Sequence, residues 1–137
     1  MSGGVPRLRG FTHVSLSVKD LMTSAEWYQR VLGLRVLVPP FEQDTYRETI
    51  LSLPNGTGLC LQQHTANSGA DFDERQTGLD HLSFDVPSKQ DLEHWVNRFD
   101  ELGVSYSREP DSLQFGSLVV FRDPDNIQLE LHCRRPQ

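Results

Sequence analysis

One pattern occurs twice in this chain, and that repetition restricts its possible folds more than any other feature. Thr12-His13-Val14-Ser15-Leu16-Ser17-Val18 resembles Asp80-His81-Leu82-Ser83-Phe84-Asp85-Val86. His13 and His81 stand 68 positions apart, as do Trp27 and Trp95, Gln62 and Glu130, and His64 and His132. In the middle the offset slips to 70, where Leu32-Gly33 answers Leu102-Gly103. Keeping Gln62 opposite Glu130 requires that the two extra residues be lost again before the last strand, as length changes in loops permit. A chain of 137 residues is then one domain made of two halves.

Each half reads alike. A strand comes first, over about 11–18 and 79–86, with period-2 alternation. Val14, Leu16 and Val18 share one face, and His13, Ser15 and Ser17 the other. Leu82, Phe84 and Val86 likewise oppose His81, Ser83 and Asp85. A helix follows. In the second half Ser88 is the expected N-cap with Asp91 three residues on. Leu92, Trp95, Val96, Phe99 and Leu102 form its apolar stripe, and Gly103 closes it. In the first half Ala25, Tyr28 and Leu32 form the stripe and Gly33 ends it. Three strands are expected after each helix, about 34–39, 45–53 and 58–64, then 104–108, 115–122 and 127–133. Pro54-Asn55-Gly56 and Asp123-Pro124-Asp125-Asn126 are turns before the last strands. The segments are a tail over 1–9, a module over 10–64, a polar linker over 65–78 and a second module over 79–137. The expected class is α+β: two βαβββ modules in tandem forming a cup-shaped mixed sheet, with helices on the outer face and polar residues lining the cup.

Composition excludes several partners. The net charge is −6 with no Lys/Arg run, so no attraction to nucleic acid is expected. The apolar stretches are too short for a membrane span. Met1 to Gly10 carries Arg7 and Arg9 without an apolar core, so no secretory signal is expected there, and the tail reads as mobile. Two cysteines make no disulfide framework, and the reading is a soluble cytoplasmic protein.

The histidines lie on the first strand of each half, and Gln62 and Glu130 on the last. All four sit opposite the apolar face. If first and last strands run side by side, these side chains converge in the cup. Two imidazoles and a carboxylate with open positions are a ligand set for a divalent transition metal, here Fe, Mn, Ni, Co or Zn. His13, His81 and Glu130 are the expected ligands, with Gln62 as a neutral fourth ligand or a hydrogen-bonding neighbour. His64 and His132, two residues further on, read as solvated rim residues or as groups that orient a ligand or move a proton, alongside Glu130. Cys60 and the two tryptophans read as packing residues. Tyr46, Arg47 and Glu48 lie on a strand whose facing the alternation leaves open.

These residues resemble a known family. Phe11 to Leu21, Trp27-Tyr28, Val31-Leu32-Gly33-Leu34, Asp80-His81 and Phe121-Arg122-Asp123-Pro124-Asp125-Asn126-Ile127-Gln128-Leu129-Glu130-Leu131 are similar to the vicinal oxygen chelate superfamily of glyoxalase I, fosfomycin resistance proteins, extradiol dioxygenases and bleomycin resistance proteins. The resemblance implies paired βαβββ modules, a metal held by His13, His81 and Glu130 with Gln62 at the fourth position, a homodimer, and a small-molecule substrate. Asn126 stands where the family's turn has Gly, a substitution that Asn's tolerance of the left-handed conformation allows. Gln62 stands where many glyoxalases have a carboxylate, leaving Glu130 as the only metal-bound base. The implied activity is a metal-dependent enzyme on a small oxygen-bearing substrate, through glyoxalase-like lyase or isomerase chemistry or ring opening with dioxygen. Thiol transfer to an epoxide antibiotic fits the triad, without a clear match to that group's anion- and potassium-binding segments. The alternative is a resistance protein that sequesters an antibiotic or other small molecule without catalysis. Bleomycin resistance proteins lack the ligand set that this chain keeps.

Overall fold

A computed structural model describes residues 3–135. They form two compact units that divide between Asn67 and Ser68, with the last turn of the first helix, Arg30–Leu32, grouping with the second unit.

The first unit runs β1(His13–Ser17), α1(Leu21–Leu32), β2(Arg35–Glu42), β3(Tyr46–Ser52) and β4(Gly58–His64). Its four strands are ordered β1-β4-β3-β2, with β1 parallel to β4 and the other pairs antiparallel. Asp20 begins α1 by accepting the Thr23 N–H at 2.9 Å, and Gly33, at φ +69°, ends it. Gln63 ties the first turn of α1 to β4 by accepting the Leu21 N–H at 2.8 Å. Leu21, Tyr28 and Val31 from the helix, Leu51 and Leu61 from the sheet and Val18 just after β1 are fully buried. Pro39 and Pro40 lie on the edge strand β2, within the register shift between Val38 and Phe41, where a missing N–H costs least.

The second unit repeats the plan as β5(Leu82–Asp85), α2(Lys89–Leu102), β6(Tyr106–Arg108), β7(Ser117–Arg122) and β8(Gln128–Cys133), in the order β5-β8-β7-β6. The two βαβββ modules expected from the repeat are both present. β5 starts at Leu82, later than expected, so His81 stands just before the strand. Ser88 caps α2 by accepting the Asp91 N–H at 3.1 Å, and Gly103 closes it at φ +72°. Replacing Ser88 by alanine is expected to cost about 1 kcal/mol of stability, measured by denaturant unfolding; no change would show that the cap is dispensable. Tyr28 and Phe99 fill the helix–sheet cores, whereas Trp27 and Trp95 are half-buried. Trp27 sets its edge on Tyr28 at 4.9 Å, and Trp95 lies 6.2 Å from Phe99. Asn126 has φ +69°, the only positive φ at a non-glycine residue among those described. The turn thus keeps the geometry that Gly gives elsewhere.

Strand pairing corrects the internal alignment. Across the parallel ladders, Ser15 pairs with Cys60 and Ser17 with Gln62, whereas Ser83 pairs with Glu130 and Asp85 with His132. Across the antiparallel ladders, Ile50 pairs with Cys60 and Val120 with Glu130. The two residues gained by the second half are therefore not lost again. The offset of 70 set at Gly33 and Gly103 persists to the last strand, so Cys60 answers Glu130 and Gln62 answers His132.

Candidate metal centre

Each unit places its histidine beside its last strand. In the second unit Glu130 lies on β8 between Leu129 and Leu131, whose side chains alternate into the core. That alternation turns the carboxylate to the opposite face, where it is still only 9% exposed. His81 Nε2 faces Glu130 Oε2 at 3.5 Å, and His81 Nδ1 lies 2.7 Å from Asp80 Oδ1. Gln128 donates its amide N–H to the same Glu130 oxygen at 3.3 Å.

This pair fits a metal by its donor chemistry. A carboxylate on Nδ1 fixes the proton there and leaves the Nε2 lone pair free, which is the usual arrangement of a ligating imidazole. Two donor atoms facing each other at 3.5 Å are an imidazole nitrogen and a carboxylate oxygen, both accepted by divalent transition metals. Among the described residues, no three His, Cys, Asp or Glu side chains form a group that could by itself hold a metal ion.

In the first unit His13 opens β1, with Nδ1 2.9 Å from the Thr12 hydroxyl, so its Nε2 is left free as in His81. Opposite it stands Gly58, where a Cβ would lie 3.1 Å from the His13 Cβ. The bare glycine lets β4 approach the root of the imidazole. Gln62 is engaged: its amide donates to Glu48 Oε1 at 3.0 Å across the β3–β4 ladder. The facing left open by the sequence is thereby decided. Tyr46, Glu48 and Ile50 pair with His64, Gln62 and Cys60 on the polar face, while Arg47 pairs with Gln63 on the other. Glu48 is a carboxylate on the first unit's polar face that the alternation alone could not place. His64 packs on Tyr46, ring centroids 5.3 Å apart. His132 donates through Nε2 to the Phe115 carbonyl, which ties its ring to the 112–116 loop. Cys60 is 4% exposed, and burial pushes its thiol up from the ordinary range, opposed by a hydrogen bond with Ser15 and reinforced by the Glu48 charge.

The model of the Glyoxalase/Bleomycin resistance protein/Dioxygenase superfamily matches residues 10–131. The chain belongs to that superfamily. Within it, the chain is 29% identical over 131 residues to lactoylglutathione lyase GLX1 of Arabidopsis thaliana, covering 93% of this chain and 45% of the plant protein. The chain thus spans under half the length of that curated relative. It is 30% identical to lactoylglutathione lyase of Haemophilus influenzae, covering 86% of this chain and 87% of the relative. Among solved structures, the glyoxylase/bleomycin resistance protein/dioxygenase domain from Frankia sp. EAN1pec superposes with a TM-score of 0.85 at 38% identity, covering 94% of this chain and 100% of that one. No described helix is long and apolar enough to cross a membrane.

Proposed function

We propose that this chain is a metal-dependent enzyme of glyoxalase type, acting as lyase or isomerase on a small substrate with two neighbouring oxygens. The observation that carries the reading is His81 Nε2 aimed at Glu130 Oε2, with Nδ1 tied to Asp80. His13, His81 and Glu130 would hold the metal. When bound, it supplies Lewis-acid polarisation of the substrate oxygens. The chain's own residues do the rest. Asp80 and Thr12 fix the two imidazoles. Glu48, its Oε1 held by the Gln62 amide, keeps Oε2 to take a proton from a carbon next to a carbonyl and return it to the neighbouring carbon. That second carboxylate supplies what a glyoxalase-type proton transfer needs beyond a single Glu130.

The test is metal content after purification without chelator, for the wild type and for His13→Ala, His81→Ala and Glu130→Ala. The reading requires stoichiometric metal in the wild type and its loss in the variants. A wild type that takes up no metal under any loading condition would leave the sequestering, non-catalytic alternative. Asp80→Asn is expected to lower metal affinity by roughly 10–100-fold, because it removes the carboxylate that orients a ligating imidazole. Titration with a competing chelator measures this, and equal affinities would remove Asp80 from the site. Glu48→Gln is expected to spare metal binding and abolish turnover.

A further inference from the structure

The polar face of the second unit carries a line of side chains that runs away from Glu130. Arg122 and Gln128 pair across the β7–β8 ladder, as the next same-face pair after Val120 and Glu130. That register sets Arg122, Gln128 and Glu130 side by side. Arg122 Nη2 donates to Gln128 Oε1 at 3.3 Å, and Gln128 Nε2 donates to Glu130 Oε2 at 3.3 Å. The amide lies between a cation and a carboxylate, its oxygen toward the first and its N–H toward the second. Turned over, it would set oxygen against carboxylate and N–H against guanidinium, and both bonds would be lost.

The guanidinium is held in turn. Its Nη2 also donates to Glu74 Oε1 at 2.7 Å, and its Nη1 to the Asn126 carbonyl at 2.9 Å. The bond from Arg122 holds the Glu74 carboxyl below its ordinary range. Arg122 is attracted as well to Asp80, the carboxylate on His81 Nδ1. Backbone contacts fix the segment that carries Glu74. The Phe72 N–H donates to the Asp125 carbonyl at 2.9 Å, and the Asn126 amide donates to the Phe72 carbonyl at 3.1 Å. Residues that read as a linker are therefore docked on the β7–β8 turn, within the second unit.

We propose that Arg122 is a positioning residue for Glu130, acting through Gln128, and that Glu74 anchors it from the segment before β5. This rests on the reading of Glu130 as a metal ligand and deepens it, by naming what aims the carboxylate. Bonds to a charged partner at both ends of the amide hold it more firmly than neutral partners would. Glu130 then faces His81 in one orientation before any ligand arrives, so less ordering is left to binding.

Two measurements test this. In the metal-free protein, amide-nitrogen relaxation reports the order of the Gln128 side chain, whose signals are assigned by their loss in Gln128→Leu. They should be rigid in the wild type and as mobile in Arg122→Met as those of the exposed Gln90. Glu74→Gln, a milder change, should loosen them in part, and it decides the point if Arg122→Met does not fold. A Gln128 amide that is mobile in the wild type, or rigid in these variants, overturns the positioning role. The second measurement is Zn(II) affinity by competition with a chelator. Arg122→Met should lower it by about 10-fold, the low end for a group that orients a ligand from outside, and Gln128→Leu by at least as much. In the Gln128→Leu background Arg122→Met should cost nothing further. An equal loss in both backgrounds means that Arg122 does not act through Gln128, and overturns the proposal. A wild type that binds no zinc overturns the metalloenzyme reading, while the relaxation measurement still decides whether Arg122 positions Glu130.

Discussion

Glu130→Ala should abolish the metal-dependent part of this protein's thermal stability while leaving the metal-free protein folded. Glu130 is a buried carboxylate whose Oε2 faces His81 and receives one amide hydrogen bond from Gln128. Its partner His81 is exposed, so removing the carboxylate leaves no buried unpaired charge behind and should spare the metal-free fold. As a ligand it matters far more. Its loss should weaken metal binding by more than the roughly 10–100-fold that follows from losing a group that merely orients a ligand. A metal bound only to the native state at 100 times its dissociation constant raises stability by about 2.7 kcal/mol. Melting curves with and without added Zn(II) therefore read the result. The wild type should shift upward on loading, and Glu130→Ala should melt at one temperature in both conditions. A metal-induced shift that persists in Glu130→Ala would remove Glu130 from the ligand set.

Phe99→Ala should produce the largest loss of stability of any single truncation in the second unit. Phe99 is fully buried on α2, and its ring lies 4.8 Å from Phe121, 6.1 Å from Tyr106 and 6.2 Å from Trp95. It is the residue through which the helix packs on β7 and β6. Truncating such a phenylalanine costs about 3–5 kcal/mol, from lost transfer energy and the cavity left behind. Set against a typical total of about 5–15 kcal/mol, that is a large fraction of the fold's stability. Phe99→Leu, which keeps most of the volume, should cost much less. Equilibrium urea unfolding measures both, and a loss below about 1 kcal/mol for Phe99→Ala would mean that the aromatic cluster is not what holds α2 on the sheet.

These effects fall on residues whose legibility differed. Phe99 could be placed from sequence because a helix stripe has a period of 3.6 and a capping pattern fixes its phase: Ser88 and Gly103 bracket the stripe, and the structure has both caps. Tyr28 was equally visible. The half-buried tryptophans were not, because a helical stripe identifies a face and not the depth of each residue on it. Glu48 was out of reach for a related reason. Its strand carries polar and apolar residues on both faces, so nothing in Tyr46-Arg47-Glu48 chooses between them until β3 pairs with β4. Cys60 falls on the polar face by the same alternation, but an isolated cysteine carries no further sequence signal.

The sequence by itself determined the duplication, the order of elements in each module, the helix caps, and the positions of His13 and Glu130 on polar strand faces, with His81 at the head of its strand. It also determined superfamily membership, because those residues recur with the family's turn and strand patterns. Only the tertiary structure decided which residues answer one another between the halves. Alternation along a strand has a period of two, so a shift of two residues leaves every side chain on the same face and the hydrophobic pattern unchanged. Offsets of 68 and 70 are therefore equally compatible with the pattern. Hydrogen-bonded register is not degenerate in this way: Ser15 is opposite Cys60 and Ser83 is opposite Glu130. That two-residue difference moves the counterpart of Glu130 from an amide to a thiol.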